Sequence, residues 1–153
     1  MNEIRVAVIG LDTSHAIEFA RRIQAPDCPP DQRVTGLRVT GCLRFETPFQ
    51  NAEGLNSRQA QMEAWGIPVT EDFDRAVANC DAVMLEINDP SLHLEYFLRC
   101  VPLKKPIFLD KPLADTIEHG RAIVQAARQA GIRFFSASAL RFAAALQEAC
   151  QHI

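Results

Sequence analysis

The stretch IRVAVIGLDTSH occupies residues 4–15 and decides the fold. Its first half is a short run rich in β-branched residues, and Gly10 ends that run. Short apolar runs of this kind are typical of strands in a parallel sheet that helices cover on both sides. We therefore predict a strand over residues 3–9, a turn over 10–14 and a helix over 15–23.

The rest of the chain repeats this alternation of strand and helix. We predict further strands over 37–43, 67–69, 81–87, 106–109 and 133–136, and further helices over 57–65, 72–79, 91–100, 114–130 and 140–152. Strands that alternate with helices across short loops indicate βαβ units and a parallel sheet. Six such strands predict an α/β fold: a doubly wound, Rossmann-type sheet of order 3-2-1-4-5-6 in three αβα layers.

Composition places the chain among ordinary globular proteins. Of its 153 residues, 48% are hydrophobic and 23% are charged, and the net charge is −3. Acidic and basic residues are interspersed, so no charged face predicts binding to nucleic acid or to an anionic membrane. No apolar run approaches the roughly 20 residues that span a bilayer. The short apolar run near the start is also untypical of a signal peptide.

Five cysteines lie far apart in the sequence: Cys28, Cys42, Cys80, Cys100 and Cys150. An odd, scattered set without a CxxC pair indicates reduced thiols and predicts a cytoplasmic protein. We assign none of these cysteines to a metal site or to catalysis.

Four segments carry a resemblance to a known family: IRVAVIGLDTSH (4–15), DAVMLEINDPSLH (81–93), IFLDKPLA (107–114) and FSASALRF (135–142). Together they resemble the N-terminal domain of Gfo/Idh/MocA oxidoreductases, which carries a glycine-rich first turn, an H-x-E after the fourth strand and an E-K-P after the fifth. The resemblance implies that residues 1–140 form an NAD(P)-binding domain. It also implies that the terminal helix, 141–153, lies where the family's second, substrate-binding domain would begin.

The first turn departs from the dinucleotide-binding pattern. That pattern uses three glycines, whereas this chain keeps Gly10 and has Asp12 and His15 at the other two positions. A carboxylate there would repel a pyrophosphate, so we interpret Asp12 as a helix N-cap. A bound pyrophosphate would then rest on the N–H groups and dipole of the helix N-terminus. The resemblance assigns the whole turn to the cofactor site: Gly10, Leu11, Asp12, Thr13, Ser14 and His15.

The end of the second strand bears on the choice of cofactor. NAD-preferring relatives tend to carry an acid there, whereas this chain has Arg44. A guanidinium can bind a 2′-phosphate through two hydrogen bonds, which slightly favours NADP over NAD. The alternative, a solvated loop arginine, stays open.

The remaining site residues follow the fourth, fifth and sixth strands. By resemblance, Asn88 and Asp89 lie beside the nicotinamide ribose, and His93 faces the cofactor in a catalytic role. A histidine at a helix start is otherwise often a capping or packing residue, and that alternative also stays open. Arg141, near the end of the chain, would help to hold cofactor or substrate.

Lys111 is the residue to which the resemblance assigns the chemistry. It matches the lysine of the E-K-P motif, which would act in proton transfer or polarise the reacting oxygen. We expect it to be partly buried and the Lys111–Pro112 bond to be cis. Asp110 replaces the family's usual glutamate and belongs to the same cofactor site. The sequence selects no substrate among sugars, polyols, cyclitols and small carbonyl compounds.

The same residues allow three other interpretations. A receiver domain also has a Lys-Pro after its fifth strand, but this chain lacks the required acid pair and the phosphorylatable aspartate. A degenerate Rossmann domain that acts as a binding module is favoured by Asp12 and His15, and without a second domain its exposed face would promote self-association. A metal cluster of Asp12, His15, Glu86 and Asp110 has no supporting ligand spacing, so we assign no metal.

Overall fold

A computed structural model describes residues 3–151, and its centre is a six-stranded parallel sheet. The strands are β1 (Ile4–Ile9), β2 (Leu37–Leu43), β3 (Val69–Thr70), β4 (Ala82–Leu85), β5 (Ile107–Asp110) and β6 (Phe134–Ala137). Their order is β3-β2-β1-β4-β5-β6, which confirms the predicted doubly wound topology. This order also excludes the 2-1-3-4-5 sheet of flavodoxin-like receiver domains.

Helices cover both faces of the sheet. They are α1 (Ser14–Gln24), α2 (Ala52–Ala64), α3 (Phe73–Val77), α4 (His93–Cys100), α5 (Ile117–Ala130) and α6 (Ala144–Cys150). Successive residues of β1 enter different cores, because strand side chains alternate between faces. Val8 packs in a cluster with residues of α1 and α2, and Ala7 and Ile9 pack in a cluster with residues of α3, α4 and α5. The three-layer αβα prediction is therefore confirmed.

The predicted starts of helices α2 and α5 were wrong. The second helix begins at Ala52 rather than 57, because the Asn51 carboxamide oxygen accepts the N–H of Gly54 at 2.8 Å and caps it. The fifth helix begins at Ile117 rather than 114, where the hydroxyl of Thr116 accepts the N–H of His119 at 3.1 Å. Side chains that cap a helix thus set both starts.

The chain end differs from the single helix predicted over 140–152. A 3-10 turn spans Ala139–Phe142, and the separate helix α6 follows it. The hydroxyl of Ser138 accepts the N–H of Leu140 at 3.3 Å and favours the turn. His152 lies outside the described residues, and the division of the chain at 140 stays a prediction.

Near β6, no element of residues 3–151 covers one face of the sheet. Met84, Phe108 and Phe135 line a groove of about 500 Å³ there, which we call the β4–β6 groove. The rings of Phe108 and Phe135 lie 4.9 Å apart, and Phe135 is 62% exposed. The groove is therefore an apolar surface open to solvent.

Within residues 3–151, no helix combines the length and the apolar character needed to cross a membrane.

Candidate active site

The turn after β1 is built around a backbone that excludes a side chain at its first position. Gly10 has a φ of +103°, and a Cβ built on it would lie 2.4 Å from the carbonyl oxygen of Glu86. The backbones of β1 and β4 therefore approach each other where the strands end. In doubly wound sheets, ligands bind at this carboxyl edge.

Asp12 does not cap helix α1, contrary to the prediction. Thr13 is the cap, since its hydroxyl accepts the N–H of His15 at 3.2 Å. The Asp12 carboxylate instead accepts the N–H of Asn88 at 3.0 Å and the hydroxyl of Thr47 at 2.8 Å. It is only 3% exposed, so it joins three loops rather than presenting its charge to a ligand.

Arg58 also reaches the turn, a contact that was not predicted from the sequence. Its guanidinium donates to the carbonyl oxygen of buried Leu11 at 2.9 Å. Burial lowers the pKa of Arg58, and the nearby Asp12 charge opposes that shift. The cation offsets the charge of Asp12. Local sequence held no signal for this contact, because it joins residues 47 positions apart.

His15, which stands at the third glycine position of the dinucleotide-binding pattern, contacts the end of β5. Nδ1 of His15 lies 2.7 Å from Oδ2 of Asp110, and the other oxygen of Asp110 accepts the N–H of Lys111 at 2.8 Å. Asp110 is 3% exposed. The His15 ring, like the Asp12 carboxylate, therefore bonds to another part of the protein. Ser14, at the start of α1, is exposed.

Glu86 is buried between these elements. It is fully buried, and among residues 3–151 neither of its carboxylate oxygens has a hydrogen-bond partner. Burial raises the pKa of Glu86 well above its usual range; the Asp110 charge adds to this effect and Lys111 opposes it. One ligand atom from each of His15, Glu86 and Asp110 lies within 4.8 Å of the other two. Of the four residues considered as a metal cluster, three therefore come together.

Lys111 lies at the end of β5, and its side chain is exposed rather than partly buried as predicted. Lys111 was predicted to be partly buried, but only its backbone makes a buried contact. The Lys111 N–H donates to the buried Asp110 carboxylate. The Lys111–Pro112 peptide bond is cis, as predicted. Lys111 is thus an exposed residue at the carboxyl edge of the sheet.

His93 is fully buried at the first position of α4. Its Nε2 lies 2.8 Å from the carbonyl oxygen of Ile87, which indicates that this nitrogen carries the proton. Its Nδ1 faces the carbonyl oxygen of Leu113 at 3.4 Å. This placement favours the packing alternative, and a catalytic role for His93 stays a prediction.

The other predicted residues occupy separate places along the sheet. Asn88 is exposed, and Asp89 caps a 3-10 turn by accepting the N–H of Ser91 at 3.0 Å. Arg44 follows β2, and its guanidinium donates to the Gln59 side-chain oxygen at 2.6 Å. Arg141 is exposed in the turn after β6.

Curated relatives of this chain are inositol dehydrogenases. Inositol 2-dehydrogenase 1 of Mycolicibacterium vanbaalenii is 28% identical over 141 residues, which cover 92% of this chain and 37% of that protein. Inositol 2-dehydrogenase of Klebsiella pneumoniae is 37% identical over 90 residues, which cover 59% of this chain and 25% of that protein. The chain thus spans well under half the length of these relatives.

Solved structures share the fold. The WlbA dehydrogenase of Bordetella pertussis, determined with NADH and UDP-GlcNAcA, matches with a TM-score of 0.71 at 23% identity, over 95% of this chain and 40% of that one. Myo-inositol 2-dehydrogenase of Lactobacillus plantarum matches with a TM-score of 0.73 at 16% identity, over 97% of this chain and 40% of that one.

The family model described as "Oxidoreductase family, NAD-binding Rossmann fold" matches residues 4–138. This range includes all six strands and the turn, lysine and histidine motifs of the site. The chain therefore belongs to the Gfo/Idh/MocA oxidoreductase family, and residues 4–138 are its NAD-binding Rossmann domain.

Proposed function

We propose that this chain binds NAD(P) at the carboxyl edge of its sheet and is the cofactor-binding part of a polyol dehydrogenase. The observation that carries the proposal is the inward placement of both non-glycine residues of the turn. Asp12 binds Asn88 and Thr47, and His15 binds Asp110. The polar groups of both side chains are therefore bonded within the protein, which would leave the N-terminus of α1 to a pyrophosphate.

Residues of this edge would divide the binding of the dinucleotide between them. The exposed start of α1 at Ser14 offers N–H groups and the positive end of the helix dipole to the pyrophosphate. Asn88 and Lys111 are exposed after β4 and β5, where they would contact the nicotinamide side. When bound, the nicotinamide accepts or supplies the hydride.

Arg44 supports NADP as the preferred form. A guanidinium has five N–H donors, and the contact with Gln59 occupies one of them. The half-buried side chain follows β2, the strand whose end lies nearest the ribose in Rossmann folds. Gln59 thus holds Arg44 in place with donors left for a 2′-phosphate.

Lys111 is the proposed acid–base group. Its exposed side chain would exchange a proton with a substrate hydroxyl: the neutral amine would accept the proton when the hydroxyl is oxidised, and the ammonium would return it in the reverse reaction. Its own backbone N–H is fixed by Asp110, so the residue starts from a defined position. The substrate class, an inositol-like polyol, is supported by the names of the curated relatives.

A cytoplasmic location and self-association belong to the same proposal. All five cysteines are free, and four of them are buried. The exposed β4–β6 groove supports contact between copies of the chain. The same groove also favours the second candidate function, a Rossmann domain that acts as an interaction module.

Titration of the chain with NADPH and NADH, followed by nicotinamide fluorescence, tests the cofactor proposal. We expect saturable binding of both and tighter binding of NADPH. Arg44→Ala should remove the preference and leave NADH binding unchanged. Arg38→Ala is the matched control, because Arg38 is an exposed arginine at the opposite end of β2. If Arg44→Ala leaves the preference intact, Arg44 does not select NADP; if neither nucleotide binds, the interaction-module candidate stands instead.

A further inference from the structure

We propose that His15, Glu86 and Asp110 form a binding site for one divalent transition-metal ion, with the imidazole and the two carboxylates as ligands. One ligand atom from each residue lies within 4.8 Å of the other two. The site goes beyond dinucleotide binding and does not depend on it.

The unpartnered Glu86 carboxylate is the observation that points to a ligand. Glu86 is fully buried, and both of its carboxylate oxygens lack a hydrogen-bond partner in the part of the chain that the structure describes. Buried polar groups are nearly always satisfied, and an unsatisfied one calls for an explanation such as a missing ion. Because the carboxylate lies beside His15 and Asp110, an ion bound there would satisfy it.

An ion would have to draw the three ligand atoms, which lie within 4.8 Å of one another, to the spacing of a coordination shell. Ligands about 2.1 Å from a metal lie about 3.0–3.4 Å from one another in octahedral or tetrahedral sites. The 2.7 Å contact between His15 and Asp110 would therefore open by a few tenths of an ångström. The His15 ring would carry its proton on Nε2, so that the Nδ1 lone pair faces the ion.

The donor set and its surroundings select the kind of ion. One imidazole nitrogen with two carboxylate oxygens suits Zn²⁺ or Mn²⁺. Three protein ligands leave a coordination position for water or another molecule, as in catalytic zinc sites. The His15 side chain is 32% exposed and provides a route from solvent, whereas the Asp110 side chain is 5% exposed.

A second histidine–aspartate pair provides the matched control. Nδ1 of His119 lies 2.6 Å from Asp115, one turn apart at the start of α5. This pair has the same chemistry and a similar distance, and the metal-ligand cluster does not include it. A comparison of the two pairs therefore isolates the contribution of Glu86 and burial.

The test uses the purified chain after treatment with EDTA and removal of the chelator. Mn²⁺ binding is followed by loss of the free-ion EPR signal, and Zn²⁺ binding by calorimetry. We expect one ion per chain, a loss of affinity of at least about tenfold in Glu86→Gln and in His15→Ala, and no change in Asp115→Asn. Circular dichroism of each variant verifies that it is folded.

Two results would overturn the site. The first is uptake of neither Mn²⁺ nor Zn²⁺ by the wild-type chain. The second is uptake that folded Glu86→Gln and His15→Ala both retain in full. The dinucleotide titration is carried out in EDTA, without the ion, so failure of the metal site and failure of cofactor binding are separately visible.

Discussion

Nδ1 of His15 lies 2.7 Å from Oδ2 of Asp110 and thereby joins the first turn of α1 to the end of β5. The contact crosses the end of β4, which lies between β1 and β5 in the sheet. Dinucleotide-binding turns carry a glycine at the position of His15. In this chain the residue instead connects α1 to β5.

Loss of this contact should destabilise the fold. His15→Ala removes one of the two hydrogen bonds of a buried carboxylate, which costs about 1–3 kcal/mol of unfolding free energy. His119→Ala removes the more exposed pair with Asp115, which solvent screens, and should cost less. Urea unfolding in EDTA measures both losses of unfolding free energy. Equal losses would contradict a larger contribution of the His15–Asp110 contact to stability.

Gly10 should tolerate no side chain. Gly10→Ala combines a left-handed φ with a Cβ 2.4 Å from the Glu86 carbonyl oxygen, and we expect a loss of about 3 kcal/mol or more. Gly66 is the control, because it also has a positive φ, of 75°, but nothing lies within 4 Å of its built Cβ. Gly66→Ala should lose about 1 kcal/mol in the same urea series. Similar losses would contradict the close approach of β1 and β4.

Glu86 should make stability fall as the pH rises. Its pKa is raised in the folded state by burial, so the folded chain holds this proton more tightly than the unfolded chain does. The stabilisation is complete below the usual carboxyl range and is lost from about pH 5 upward, at no more than about 1.4 kcal/mol per pH unit. Glu86→Gln removes this dependence.

Urea unfolding at pH 5, 6, 7 and 8 in EDTA checks the effect of Glu86. The stability difference between Glu86→Gln and the wild type should move in favour of the variant as the pH rises. Parallel pH profiles would mean that Glu86 keeps the same protonation behaviour in both states, and they would contradict its burial without a partner.

The β4–β6 groove should drive self-association. Phe135→Ser removes a 62% exposed aromatic side chain from the groove and should weaken association. Phe49→Ser is the control, because Phe49 is 54% exposed but lies in the loop after β2. Sedimentation velocity over a range of concentrations measures the change. Equal behaviour of both variants and the wild type would exclude the groove as the contact.

The fold was largely predictable because it depends on local patterns. Apolar runs predicted β1 and β2 close to their observed bounds. The glycine after α5 predicted where that helix ends. The start of α2 was missed, since Gly54 in its first turn is a poor helix former and the segment has no apolar periodicity. Capping by Asn51 outweighs that propensity.

The candidate site was less predictable, because its contacts are long-range. Asp12 and Thr13 are adjacent and both suit an N-cap, and only the position of Asn88 and Thr47 decides between them. Arg58 reaches the turn from the middle of α2, and the helix pattern gives no reason to single it out. Motif resemblance identified Lys111 but could not give its exposure.

The most direct test of the central claim is to map nucleotide binding on the chain by NMR. The ¹⁵N–¹H spectrum is recorded during titration with NADPH and with NADH. We predict saturable shifts at the carboxyl edge, in the amides of Ser14, Asn88 and Lys111, with those of Arg38 and Asp81 at the opposite edge unmoved. Absence of shifts, or shifts confined to the opposite edge or the β4–β6 groove, would contradict a dinucleotide site at the Gly10 turn.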